Sequence, residues 1–461
     1  MKKVHFIGVS GIGVSAVAKI SIQAGLEVSG SALEENEQTK ELVRLGMKYY
    51  LGHRSGQIGK PDIVVCSAAV PPENQEVLEA QKKQIPVYLY PEYLGMLMKQ
   101  KQGIAVAGTH GKSTTTAIIG TILKKAGLDP TIVCGGVMND FSSNAVSGEG
   151  DYFLAEACEY NRSFLSLVKC YSVITNIEPD HLDTYKDIHE IKSAFRSFIE
   201  TTDTRGFAVV NGDDAEVLDT IKDCSFENIH TVGKRRDNKY RIKEVESERG
   251  LYSFSIECSE WEKSMHLTLP VPGSFNCSNF SLSAVLCLEL GIEKKIIEEA
   301  IKGFGGMSRR LEMIGTIGTD PVYSDYAHHP TEIHAAVDTI KEMYPSRRVV
   351  AVFQPHQYSR TLLLFNEFVK VLETVDRLIL TEIYRQRDSE SFVSAVSSAA
   401  LYDELQMKMN DRVVYVEKKD DIIEYLKKER QEESVILFMG AGDIDDVARR
   451  YVGDCYQWRL T

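Results

Sequence analysis

Lys112, with Ser113 beside it and glycines at 108 and 111, is the first group in this chain whose residue types and spacing could do chemistry. The run around it, GIAVAGTHGKSTTT over 103–116, reads as a buried strand, a short loop and the start of a helix. A helix N-terminus offers unpaired backbone N–H groups and the positive end of its dipole, so such a loop cradles phosphate. Lys112 adds a mobile cation, and the Ser113 hydroxyl can serve a Mg²⁺ ion. Val106 stands where the general nucleotide-binding loop has its first glycine, yet Gly108-Thr109-His110-Gly111-Lys112-Ser113 keeps the compact strand-loop-helix order. ATP is the ligand expected there; an ordinary tight turn with a surface lysine is the alternative. As an exposed loop residue, Lys112 is expected to add little to stability.

A second glycine-rich run, VHFIGVSGIGVSAVA over 4–18, has Gly11-x-Gly13-x-x-Ala16 between a strand and a helix. A dinucleotide site would place an acid about 20 residues further on to grip a ribose. The chain reads SGSALEEN there, with Ala32 directly after Ser31. The loop is therefore read as a cradle for a diphosphate other than NAD, with a structural turn as the alternative. Magnesium takes oxygen ligands, with imidazole as an occasional addition. Glu156 in LAEACEY and His181 in NIEPDHLD fall at or just after strand ends, where neighbouring parallel strands could bring both to Ser113. Salt-bridged or capping roles are the alternative for each, and Asp180 and Asp183 read as turn residues.

Positioning these groups requires strands that end at loops. The chain alternates apolar strands with amphipathic helices, the pattern of α/β units with mostly parallel sheets. At 461 residues it fits about three domains of ~100–200 residues each. With 43% hydrophobic and 26% charged residues it has a globular composition, without an apolar run near the ~20 residues of a membrane helix. MKKVHFIGV enters a strand at once, so a cytoplasmic protein is expected, with no stable membrane association. Nine cysteines without a C-x-x-C pair argue against a disulfide framework or a zinc knuckle. Cys66, Cys134, Cys170 and Cys287 read as small core residues. The net charge of −13 repels nucleic acid and anionic membranes. Three blocks follow: 1–101, 102–306 and 307–461. The basic MKQKQG near Lys101 reads as a linker, and 224–269 as a small antiparallel sheet. The third block carries RVVAVFQPH, RLILTEIY and SVILFMGAG, each a strand followed by a loop rich in polar side chains.

GTHGKSTTT, EACEY, TNIEPDHLDTY, VPGSFNCSN, GGMSRRLE, DYAHHPTEI, FQPHQYSRT and MGAGDI occur in this order, as they do in the Mur ligases, and the whole chain resembles that family. AHHPTEI followed by FQPHQYSRT is the most specific part, and points to the branch that adds the first amino acid. The resemblance implies an α/β protein of three domains: a Rossmann-like UDP-sugar domain at 1–101, a P-loop ATPase domain at 102–306 and a Rossmann-like amino-acid domain at 307–461. It implies ATP-dependent joining of L-alanine to the lactyl carboxylate of UDP-N-acetylmuramate through an acyl phosphate, in peptidoglycan precursor synthesis, by a monomer or weak homodimer. ATP would be held by Gly108, Thr109, His110, Gly111, Lys112, Ser113 and Thr114, with Asn276 and Asn279 at the adenine, Asp325 at the ribose and Arg310 at the γ-phosphate. Ser10, Gly11, Ile12, Gly13 and Ser31 would hold the UDP-sugar. His328, His329, His356 and Arg360 would line the amino-acid side. Lys112, His181, Arg310 and His329 would act in catalysis, and Ser113, Glu156 and His181 would hold Mg²⁺.

Four positions depart from the family pattern: Phe275 in place of a histidine, Ser324 of an aspartate, Gln357 of an arginine and Ala32 of an aspartate. Each change removes a polar or charged group. A carbamylated lysine of the kind some relatives use is not assigned to Lys192. Gly440 to Asp443 reads as a loop near the reacting groups or as a plain helix start. Two other classes share the nucleotide loop: a P-loop small-molecule kinase and a non-catalytic nucleotide-binding regulator. A Mur-like ligase with another amino acid or acceptor is a further alternative.

Overall fold

The computed structural model describes residues 2–181, 184–386, 388–429 and 433–457. Asp183 lies outside them. Three sheets are laid out along the chain. The first has five parallel strands in the spatial order Lys48–Leu51, Glu27–Ala32, Lys3–Ile7, Ile63–Cys66, Val87–Leu89. Connections run to opposite sides of Lys3–Ile7, so a crevice opens at its C-terminal end, and Gly8 to Gly11 lie there.

The second sheet has ten strands, with Gln102–Ala107 flanked in parallel by Tyr152–Glu156 and Tyr171–Ile174. The phosphate loop, Glu156 and the segment leading to His181 therefore leave the sheet at one edge. The antiparallel strands Tyr240–Glu248, Leu251–Glu257 and Met265–Thr268 are present and continue this sheet, joined through the pairs Val232 with Tyr240 and Gly233 with Arg241. The third sheet has six strands, parallel except for the edge pair Glu312–Ile317 and Asp320–Asp325. Asp325, Phe353, Leu380 and Met439 close four of its strands on one edge, so the loops after them converge.

The helix Lys112–Lys125 is buried on nearly all sides, with Ile118, Ile119, Ile122 and Leu123 inaccessible between the central sheet and the helix Asn276–Glu289. Burying one such side chain stabilises by about 1.5–3 kcal/mol relative to exposure, so the phosphate loop is mounted on a rigid support.

The segment expected as a linker is a tight connection instead. Only Lys99 to Lys101 separate the helix Tyr90–Met98 from the strand Gln102–Ala107, and the Lys101 ammonium donates to Gly148 O at 2.5 Å and Thr131 Oγ1 at 3.0 Å. The helix Ile12–Gln23 is likewise pinned to the central region. Its buried Lys19 reaches Ser143 Oγ at 3.0 Å and Asn144 Oδ1 at 3.2 Å, while Asn144 Nδ2 donates to Ile12 O at 2.8 Å. One apolar core runs from Phe6 and Tyr93 into Phe164, Phe195 and Phe198. The cysteines whose side chains are described are all free thiols; Cys66, Cys134 and Cys287 are buried and Cys170 is half-buried. Among the described residues no helix is long and apolar enough to cross a membrane.

Candidate active site

The loop 108–111 turns because its glycines adopt backbone angles closed to other residues. Gly108 has φ +143° and Gly111 has φ +81°. A Cβ on Gly111 would lie 2.4 Å from Asn279 Oδ1, and one on Gly108 would lie 1.9 Å from Thr175 Oγ1. Thr109 Oγ1 accepts from Glu178 N at 2.8 Å, and His110 N donates to Asn176 Oδ1 at 2.8 Å, which fixes the loop against the segment after Tyr171–Ile174.

Lys112 is not an exposed loop lysine. Its ammonium donates to Gly108 O at 2.6 Å and Thr109 O at 2.9 Å and lies 3.1 Å from Glu159, with the two side chains only 13% and 4% exposed. Burial opposes its charge, but Glu159 outweighs burial and raises the lysine above its ordinary range. The expectation that Lys112 adds little to stability is therefore corrected: removing it strands a buried carboxylate.

A cleft of about 310 Å³ opens beside this loop. Gly111 and Thr114 form one wall, and Arg310, Asp325 and Glu332 the other. Asn276 and Asn279 sit at its inner end, where Asn279 Nδ2 donates to Asn276 Oδ1 at 3.1 Å and Asn276 Nδ2 to Pro272 O at 2.6 Å. Phe275, at a position where a histidine was the expectation, leaves its ring exposed on the same cleft. Asp325 accepts Leu311 N and Ala327 N, both at 2.7 Å, so both carboxylate oxygens are engaged by backbone. Burial lifts its pKa to about 6, opposed by Arg310.

A charged cluster crosses between the central and third sheets. His110 Nδ1 lies 3.2 Å from Glu332 and Nε2 lies 3.6 Å from Glu178. Burial works against its charge, but the two carboxylates hold its pKa at about 9. Arg310 approaches the same Glu332 at 3.6 Å and stacks over Tyr326. His329 caps the helix Pro330–Met343, its Nδ1 accepting Thr331 N at 3.3 Å.

On the far side of Tyr326, His328, His356 and Arg360 come together. Burial pushes His328 down to about 3 and His356 to about 4, with the Arg360 guanidinium adding to the effect at both. Both imidazoles are therefore neutral at pH 7. Arg360 Nη2 pairs with Asp180 at 3.1 Å, and its Nη1 lies 3.3 Å from His356 Nδ1. Asp180 was expected to be a turn residue; this partner, from the short helix Tyr358–Leu363 that follows a strand of the third sheet, holds it far below the carboxylate range despite burial.

Of the expected metal ligands, Ser113 is buried at the start of its helix, and Glu156 accepts Gly135 N at 2.7 Å. His181 adopts φ +52° and lies 4.0 Å from Glu159 and 3.9 Å from Asp180. Cys158, Glu159 and His181 form a group whose ligand atoms lie within 4.8 Å of one another. Lys192 pairs with Asp219 and with Glu216, the latter at 2.9 Å.

In the first sheet, Ser10 O accepts Asn36 Nδ2 at 2.9 Å, and Gly11 and Ile12 open the helix Ile12–Gln23. A Cβ on Gly13 would lie 2.9 Å from the Tyr90 ring. Ser31 is turned inward: fully buried, it donates to Glu76 at 2.5 Å beside His53. Its hydroxyl therefore supports the crevice from beneath. Ser324 also turns inward, to Asp445 at 2.5 Å, and Ala32 is buried. Gln357 Nε2 donates to Gln386 O at 3.3 Å. In the loop 440–443, Arg309 Nη2 donates to Gly440 O and Gly442 O, and Gln354 Nε2 to Asp443 at 2.9 Å.

Tyr90, Glu159, Glu178, Arg309, Tyr326 and Glu332 were missed in the sequence. Glu332, three residues after the capping His329, carries the sequence signal of a capping box. Glu159 was signalled by standing three residues beyond Glu156 in the same EACEY motif. Tyr90 has no local signal, because its importance lies in reaching Gly13.

Three family models match the chain in succession: "Mur ligase family, catalytic domain" over 3–102, "Mur ligase middle domain" over 106–287 and "Mur ligase, glutamate ligase domain" over 309–442. The UDP-N-acetylmuramate--L-alanine ligase of Aquifex aeolicus is 41% identical over 444 residues, 96% of each chain. That of Caldanaerobacter subterraneus is 37% identical, covering 98% of this chain and 97% of the relative. Among solved structures, UDP-N-acetylmuramate-alanine ligase MurC from Thermotoga maritima superposes with a TM-score of 0.84 at 29% identity, covering both chains fully.

Proposed function

This chain belongs to the Mur ligase family, and on that premise we propose how its residues divide the work of an ATP-dependent, amide-forming ligase. It joins L-alanine to the lactyl carboxylate of UDP-N-acetylmuramate, a step of peptidoglycan precursor synthesis. The observation that carries the division is the cleft with the phosphate loop on one wall and Arg310 on the other, next to the neutral imidazoles and Arg360.

A carboxylate is a poor electrophile, so ATP first phosphorylates it; the amine then attacks the acyl phosphate and phosphate leaves. Lys112 and Arg310 flank the γ-phosphate and offset the charge that gathers during transfer. Lys112 must leave Glu159 and the loop carbonyls to do so. Asn276 and Asn279 face the adenine. Asp325 acts on the ribose side of the cleft by holding Leu311 and Ala327 in place. Ser10, Gly11, Ile12 and Gly13 hold the UDP diphosphate at the crevice of the first sheet.

Arg360 suits the carboxylate of alanine because its planar fork binds bidentately, and the substrate would compete with Asp180 for it. Neutral His328 and His356 accept hydrogen bonds from the amine, where imidazolium groups would repel its ammonium form.

Ser113, Glu156 and His181 would hold Mg²⁺, and Glu159, a buried carboxylate paired with Lys112 and 4.0 Å from His181, stands next to them. This set of hard oxygens with one imidazole fits the ion. When bound, Mg²⁺ supplies charge neutralisation at the terminal phosphates. The domains are read as 1–101, 102–306 and 307–461, a monomer suffices because each substrate region lies on one chain, and free thiols with ATP use suit the cytoplasm.

Heavy oxygen in the lactyl carboxylate tests the path. One labelled atom should pass to inorganic phosphate per amide formed. Unlabelled phosphate with good amide yield would refute the acyl phosphate, and label on AMP would indicate an adenylate.

A further inference from the structure

Three side chains at the junction of the central and third sheets are arranged more like a metal centre than like a set of ion pairs. The ligand atoms of His110, Glu178 and His329 lie within 4.8 Å of one another. Nε2 of His110 and Nε2 of His329 are both buried without a hydrogen-bond partner, and His329 is only 6% exposed. The two rings are 5.0 Å apart between centroids.

Each ligand is also held from behind. Glu332 lies 3.2 Å from Nδ1 of His110, the outer carboxylate that orients a metal-binding imidazole and raises its basicity. His329 uses Nδ1 for its helix cap, which leaves Nε2 as its free nitrogen. Thr331 Oγ1 donates to Glu178 Oε2 at 2.8 Å, which fixes the carboxylate with that oxygen 3.6 Å from His110 Nε2.

We propose that His110 Nε2, a carboxylate oxygen of Glu178 and His329 Nε2 form a binding site for a borderline divalent cation, Zn²⁺ or Co²⁺, that ties the central region to the third sheet. Two imidazoles and one carboxylate select such an ion over Mg²⁺, which prefers oxygen ligands. Three protein ligands leave a position open to water, as in zinc sites that are not purely structural. The negative charge of Glu178 and Glu332, both beside His110, favours a dication at this place. His110 and Glu178 leave the central sheet, whereas His329 starts the helix Pro330–Met343, so an ion there staples the two walls of the nucleotide cleft. The site is separate from the Cys158, Glu159 and His181 group, which offers the competing place for the same ion.

The test uses chelator-treated full-length protein and Co²⁺ alone, read by visible absorption and equilibrium dialysis, so it does not depend on ligase activity. His329→Ser keeps a capping side chain and removes the imidazole; Glu178→Gln removes the charge, and circular dichroism confirms that both are folded. Affinity for Co²⁺ should fall at least about tenfold in each and stay unchanged in His181→Gln. Millimolar Mg²⁺ should not displace the ion. Co²⁺ uptake that persists in His329→Ser, uptake lost only in His181→Gln, or no saturable uptake in the unaltered protein overturns the proposal.

Discussion

The two glycine-rich loops share one plan, a strand followed by a turn and a helix N-terminus, yet the structure equips them differently. The loop at 108–111 has left-handed glycines at 108 and 111 and a lysine held by a buried carboxylate. The loop at 8–13 has one left-handed glycine, Gly8, and among the described residues its helix starts without a cation in the first turn; a tyrosine ring packs on Gly13. A phosphoryl group in transfer needs mobile positive charge, whereas a diphosphate that serves only as a handle needs N–H donors and a snug wall. The chemistry to be done and the backbone at the helix start both separate the loops, with Gly11 extended where Gly111 is left-handed.

Taking the cation out of the first loop is the most severe way to break this contrast. Lys112→Ala should lower kcat by about 10²–10³-fold or more, measured by phosphate release, and should also lower the melting temperature because Glu159 is left buried and unpaired. Ligation within about threefold of wild type would show that the cation is not what distinguishes the loop.

Arg360→Lys sharpens the comparison by testing a cation placed for a carboxylate instead of a phosphate. Losing the bidentate fork should cost about 1.5–3 kcal/mol, seen as an increase of about 10- to 100-fold in KM for alanine with KM for ATP little changed. Equal effects on both substrates would move Arg360 to the phosphate side.

Adding one side chain to each loop should separate their ligands. Gly13→Val forces atoms into the Tyr90 ring and should raise KM for UDP-N-acetylmuramate about tenfold, or ~1.4 kcal/mol, without affecting ATP. Gly111→Ala meets Asn279 and a positive φ, and should do the reverse. A matched effect of both variants on both substrates would merge the two cradles into one site.

The smallest effect concerns a lysine without a carboxylate. Lys169 is buried, with Thr201 Oγ1 at 2.8 Å and the Phe198 ring 4.0 Å away, and burial lowers its pKa to about 7. Its folded value lies below its unfolded one, so the unfolded chain binds more protons between about pH 7 and 10, and stability gained from this group rises with pH across that window. Lys169→Met should raise the melting temperature at pH 7 by a few degrees and flatten its rise toward pH 9.5. An unchanged pH slope would mean that Lys169 stays charged in the fold, as Lys112 does.

Much of this arrangement was legible in the residues. The strand before Gly108, the helix from Lys112, the α/β alternation and the polar loops after Phe353, Leu380 and Met439 follow from apolar periods of two and 3.6 and from turn chemistry. Those signals are local, and the chemical types of Lys112, Glu156, Arg310 and Arg360 are written directly in the chain. What folding alone decided is which groups meet. Asp180 holds Arg360 across 180 residues, and Glu332 holds His110 across 222. Ser31, polar and well placed in sequence, turns inward to Glu76, while Tyr90, unremarked in sequence, reaches Gly13. Periodicity states which face of an element is buried but not which strand lies beside it or which sheet packs against it. The charge state of a histidine depends on those neighbours: His110 is protonated between two carboxylates, and His328 is neutral beside an arginine, though both are the same residue type in similar loops.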